Sequence, residues 1–303
     1  MRALAWAVLG AAVLAAGPAA AHGGGRLTAS FGWTWDASVT LPLALAAMAF
    51  AVGWIRLYRR SAAGTARLRR HALVFAGGWM ILALALVSPL HQAGEHSFTA
   101  HMAEHELLML AAAPLLVLSQ PLGVMLWACP RPWRAGLGGF SRWGPLSALW
   151  RGLHQPVTAT LLQAAALWLW HTPGLFDVAL ANGGWHVVQH LSFLVTALLF
   201  WSAVLHHRPR NYGLSALCLF ATSMVTGALG ALMAFSQSPW YAGYSQLGMT
   251  PMGLSPLEDQ QVAGMLMWVP GGLVHAGAAL AAVAAALRPE TTQLKGVTGG
   301  VQA

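Results

Sequence analysis

The sequence predicts an all-α integral membrane protein: a bundle of seven transmembrane helices behind a cleavable signal peptide, N-terminus outside and C-terminus inside. Three observations carry that prediction. Only 8% of the 303 residues are charged and 57% are hydrophobic, against roughly 25% charged in an average soluble domain. Seven apolar stretches approach the roughly 20 residues that a bilayer core demands. Every second interval between them is rich in arginine, the pattern of cytoplasmic loops.

Residues 1–21 read as a secretory signal, with Arg2 before an apolar stretch and Ala19-Ala20-Ala21 as a small-residue cleavage site. An extracytoplasmic segment follows over 22–37. Cleavage would leave His22 at the N-terminus, where a free amine and an imidazole can chelate copper, although most such termini bind nothing. The transmembrane domain occupies 38–287, with spans expected near 38–58, 71–90, 101–127, 156–171, 185–205, 213–235 and 260–287. A flexible cytoplasmic tail, 288–303, ends the chain.

The charges sort by loop. Of sixteen basic residues, fourteen fall in alternate intervals: six from Arg56 to Arg70, four from Arg131 to Arg151, then Arg208, Arg210, Arg288 and Lys295. Asp36, Glu95, Asp177 and Glu258 lie in the opposite set. The net charge of +8 is therefore a topological signal, and it gives no reason to expect nucleic acid as a partner. Membrane lipid is the expected surrounding. Cys129 and Cys218 stand far apart with no CxxC, which argues against a disulfide framework or a thiolate shuttle.

Thirteen histidines are many for such a chain. His101 and His105 are four residues apart, so they share one helix face about 6 Å apart along the axis, with Met109 one turn further. His186 and His190 repeat the device on another span. Ionisable groups within spans are costly and face a bundle interior or an aqueous cavity, so the two HxxxH pairs are expected to form one outer-side site. His171, stopped by Pro173, and Asp259, opening the last span, fall at the same level. Asp259 reads equally as a helix N-cap, and Glu104 and Glu106 as solvated charges at a helix start. Imidazoles suit zinc, copper, iron or nickel, and nearby methionines tilt the choice toward copper. His275 lies about 24 Å along the last span from Asp259, beyond a break expected at Pro270-Gly271-Gly272. It is either a hydrogen-bonded interhelical histidine or part of a second, inner locus.

The stretches HMAEHELLMLAAAPLLVLSQP, WLWHTPGLFDVALANGGWHVVQHLSFLVTALLFW and DQQVAGMLMWVPGGLVH, in that order, resemble the CtaG family of multi-pass membrane proteins. The resemblance covers roughly 38–287. It implies a non-enzymatic assembly factor of the bacterial plasma membrane that helps supply copper to haem-copper cytochrome c oxidase, with oxidase subunits as partners. The family's motifs fall on His101, His105, His171, His186 and His190, with Asp259 opening the last. An unrelated single-span copper chaperone shares the name and uses cysteines, a motif absent here. Two other classes compete. A haem-bearing redox protein would use the same histidines as axial ligands, and a metal or proton transporter would use them as a relay.

Overall fold

The computed structural model describes residues 31–61, 64–206 and 212–287. The expected signal peptide, His22, the loop arginines Arg208 and Arg210 and the tail from Arg288 lie outside these residues. Among the described residues every regular element is helical. In chain order they are α1 (Ala37–Tyr58), α2 (Thr65–Val87), α3 (Pro89–Gly94), α4 (Phe98–Glu106), a π-helical segment (Leu107–Ala112) and α5 (Ala113–Ser119). Then come α6 (Pro121–Met125), a 3-10 turn (Leu126–Ala128), α7 (Arg131–Phe140), α8 (Gly144–Leu153), α9 (Pro156–Trp170) and α10 (Pro173–Ala181). The series closes with α11 (Gly183–Leu205), α12 (Tyr212–Ala234), α13 (Ala242–Leu247) and α14 (Pro256–Ala286).

Among the described residues six helices, where seven spans were expected, are long and apolar enough to cross a membrane: α1, α2, the continuous stretch Phe98–Ser119, α11, α12 and α14. The expected fourth span is α9, whose 15 residues rise about 22 Å against a hydrocarbon core of about 30 Å. Pro173 explains the shortfall. It has no N–H to continue α9 and instead opens α10 at its first turn. The expected third span, 101–127, stops at Ser119 because Gln120 takes a left-handed conformation, φ 49°, before Pro121. By contrast, α14 runs unbroken through Pro270, where a break was expected.

Side-chain caps start the helices that position the site. Asp36 accepts from Ser38 N at the head of α1, and the Asn182 side chain accepts from Gly184 N and Trp185 N at the head of α11. Ser255 and Glu258 form a reciprocal capping box on α14.

The stretch Phe98–Ser119 is the axis of the bundle, with α2, α11 and α14 packed around it. α12 and α14 form the most extensive helix pair. Glycine makes that approach possible, since a Cβ on Gly264 would lie 2.5 Å from the Gly230 carbonyl oxygen. Small residues at crossings are the usual solution where lipid supplies no hydrophobic drive between helices. α1 packs on α2, α6 and the 3-10 turn, and is much the less enclosed: 17% of its apolar window is buried, against 56% in Phe98–Ser119. Between α1 and α2 on one side and α11 on the other lies an apolar-walled cavity of about 1230 Å³.

Candidate metal centre

Ser97 and Asp259 set α4 in place. The first four N–H groups of a helix lack intrahelical partners, and here each has one. Asp259 of α14 accepts from Phe98 N and Thr99 N, and from the Ser97 hydroxyl. Ser97 itself donates from N to the Ala93 carbonyl and accepts from Ala100 N through its side chain. Thr99 Oγ1 donates back to the Asp259 carbonyl. One carboxylate thus caps a neighbouring helix, and its own helix is capped by Ser255.

With α4 fixed, its inward face points His101 and His105 at α11. The His101 ring lies 5.3 Å from His186 and 6.0 Å from His190, centroid to centroid. His105 lies 4.4 Å from His101 and 4.8 Å from His190, and His186 and His190 are 4.3 Å apart. The two HxxxH pairs therefore face one another. Candidate ligand atoms of His101, His186 and His190 all lie within 4.8 Å of one another, a spacing that can close around a small ion. His105 stands behind this triad, with its ring against Phe193.

Hydrogen bonding marks the group out. His101 Nε2, His186 Nε2, His190 Nε2 and both nitrogens of His105 are buried with no hydrogen-bond partner. Each buried polar atom left unpaired costs about 1–3 kcal/mol, and native proteins hold few of them. Imidazole nitrogens converging unpaired on one point are suited to a metal, whose bonds would replace the missing ones.

Glu104 and His91 complete the centre, and the sequence reading missed both. Glu104 is fully buried rather than a solvated charge. Its Oε1 accepts from His91 Nδ1 at 2.9 Å and lies 3.4 Å from His190 Nε2. Burial alone would lower the His91 pKa, but the hydrogen bond and charge of Glu104 more than compensate and raise it above its ordinary value. Gly94 permits this arrangement, because a Cβ there would lie 3.2 Å from the His101 Cα and hold α3 away from α4. A carboxylate three residues after His101 in an apolar helix was the available signal, since charge within a span calls for a partner.

Two other predicted ligands are placed differently. Both Asp259 oxygens are occupied by the α4 terminus, so this residue does not join the imidazoles. His171 is 2% exposed and donates from Nδ1 to the Leu167 carbonyl, leaving Nε2 unpartnered. Its ring meets Phe176 and Phe193 instead of another imidazole. Asp177 accepts from Ala242 N and Gly243 N, and Tyr241 and Tyr244 donate to the carbonyls of His171 and Gly94. The α13 region is thereby tied across this end of the bundle. The large apolar cavity reaches His91, His101, His186 and His190.

Fold and site together define a helical membrane protein with a candidate transition-metal centre. The family model of the cytochrome c oxidase caa3 assembly factor (Caa3_CtaG) matches residues 48–289, and the chain belongs to that family. Uncharacterized proteins of Mycobacterium bovis and Mycobacterium tuberculosis are each 27% identical to it over 250 residues, and one of Mycobacterium leprae is 23% identical. The match covers 78% of this chain but 36% of each relative, so the chain spans about a third of their length. No solved structure matches it.

Proposed function

We propose that the protein binds copper at the histidine centre and transfers it to oxidase subunits during assembly of a haem-copper oxidase. His101, His186 and His190 are the ligands in this reading. His105 is a further imidazole reached from the same site, and Glu104 orients His190 and neutralises charge. The observation that carries the reading is the convergence of buried imidazole nitrogens without hydrogen-bond partners, in a chain whose family assembles an oxidase. Imidazole binds copper well, and a site for transfer needs ligands that exchange. The alternation of arginines along the sequence supports an orientation with the centre on the extracytoplasmic side of the bacterial plasma membrane.

Detergent-purified protein loaded with copper and washed should retain metal. The His101→Ala/His190→Ala double variant should lose the histidine-ligated equivalent, and cells carrying it should make oxidase with reduced copper and activity. Wild-type protein that retains no copper, or a double variant that assembles a fully active oxidase, sinks the proposal.

A second reading draws on the cavity beside the centre. At about 1230 Å³, with apolar walls and histidines at one end, it is large enough for a porphyrin. A haem absorption band in the purified protein would favour that reading over copper.

A further inference from the structure

Beyond the histidine centre, a second polar locus lies deeper along the same axis. Glu106, Met109, Gln163, Met267, Gly271 and His275 border a cavity of about 10 Å³, the size of one water or one small ion. The helices that meet there are α4 with its π-helical extension, α9, α11, α12 and α14. Such an enclosed group of polar atoms inside a bundle calls for an explanation.

Several of these atoms await a partner. Gln163 is 5% exposed, and its Oε1 has no hydrogen-bond partner while its Nε2 donates to Met109 Sδ at 3.3 Å. Glu106 Oε2 is likewise buried without one. It rests against α14 at Gly271, where a Cβ would lie 3.3 Å away. A carboxylate so placed requires either a proton or a cation.

The remaining donors favour a soft cation. His275 is buried, and its Nδ1–H donates to the Gly271 carbonyl at 2.8 Å. That bond fixes the tautomer and leaves Nε2 with the lone pair of a metal ligand, the usual orientation device for a metal-binding histidine. Its ring stacks on Trp201 at 5.7 Å. Trp201 in turn donates from Nε1 to the Met109 carbonyl at 2.8 Å, within the π-helical segment. π-helical segments recur at functional sites because they re-aim side chains, and this one presents the Met109 thioether to the cavity. Two thioethers, one imidazole and a charge-balancing carboxylate form a donor set that selects monovalent copper over zinc or hard cations.

We propose that Met109, Met267 and His275, with Glu106 as counter-charge, form an inner site for a soft monovalent metal ion, Cu(I). His105, one helical turn before Met109 and with both nitrogens unpartnered, stands between the two loci. The pair of sites therefore reads as a ladder for one ion. The ladder rests on the histidine-centre reading; the inner site does not.

Cu(I) added to the purified protein under reducing conditions tests this, with bound equivalents counted by metal analysis and ligand type read by X-ray absorption. Wild-type protein should bind two equivalents and show both nitrogen and sulfur scatterers. Met109→Leu/Met267→Leu, which conserves volume, should drop to one equivalent and lose the sulfur signal. His101→Ala/His190→Ala should keep one sulfur-ligated equivalent. A sulfur-free spectrum from saturated wild-type protein overturns the inner site, as does sulfur scattering or a second equivalent that survives the Leu double variant. Should the histidine double variant bind as much copper as wild type while the sulfur result holds, the outer centre fails and the inner site stands.

Discussion

Two polar groups meet at the same end of α4, and both drew attention as possible ligands. At one, Asp259 faces the helix terminus with each carboxylate oxygen hydrogen-bonded. At the other, His101, His105, His186 and His190 face each other with ligand atoms unpaired. Burial is similar, with Asp259 and His101 both 1% exposed, so enclosure does not distinguish them. Hydrogen-bond completeness does. A satisfied buried charge holds structure, whereas converging unsatisfied donors and acceptors mark a place prepared for something else.

The most severe test of that contrast is His101→Ala/His190→Ala. The copper equivalent held by the imidazoles should be lost, leaving only a sulfur-ligated one, while thermal unfolding in detergent stays close to wild type, since neither His101 Nε2 nor His190 Nε2 has a hydrogen-bond partner. A large loss of stability with copper retained would make the imidazoles structural. Next, Asp259→Asn should lower stability by about 2–3 kcal/mol, because a charged acceptor of three hydrogen bonds is replaced by a weaker one. Copper stoichiometry should not change. Loss of copper at an unchanged unfolding temperature would put Asp259 among the ligands and erase the contrast.

Glu104→Gln sharpens it from the other side. The carboxylate links His91 to the vicinity of His190 without belonging to the imidazole triad, and replacing such a supporting group weakens metal binding by about 10–100-fold. Competition with a chelator of known affinity measures this, and no change would reduce Glu104 to a fold-stabilising charge. The smallest effect is expected of His96→Ala. His96 is part-buried, and its Nδ1 donates at 3.2 Å to the Gln92 carbonyl on its own side of the site. Copper affinity measured the same way should stay within about twofold of wild type, and a larger loss would extend the centre to the rim.

Much of the fold was legible because the bilayer imposes it. Long apolar runs such as 37–58 and 212–234 must be helical to satisfy their backbone groups, and the structure has helices there. The exception, α9, ends where Pro173 was expected to end it, and its 15 residues are too few for a full span. In the site, HxxxH spacing placed His101 with His105 and His186 with His190, since four residues nearly complete a turn. Glu104 was harder to place. On its own it resembled any acidic residue near a helix start, and its burial depends on α3 folding back over it through Gly94.

The sequence by itself determined that this chain is a helical membrane protein, which helix faces carry the imidazoles, and which family motifs it contains. Those properties are set by local periodicity and by the cost of polar backbone in lipid. Tertiary structure alone decided that the two histidine pairs face each other, that Asp259 serves a neighbouring helix terminus, and that Met109, Met267 and His275 border one small cavity. The residues concerned are separated by as many as 166 positions, from Met109 to His275, and nothing in local spacing fixes which helices become neighbours. That choice rests on helix packing, at glycines such as Gly94, Gly230, Gly264 and Gly271, where the absence of a side chain lets two backbones or a carboxylate approach.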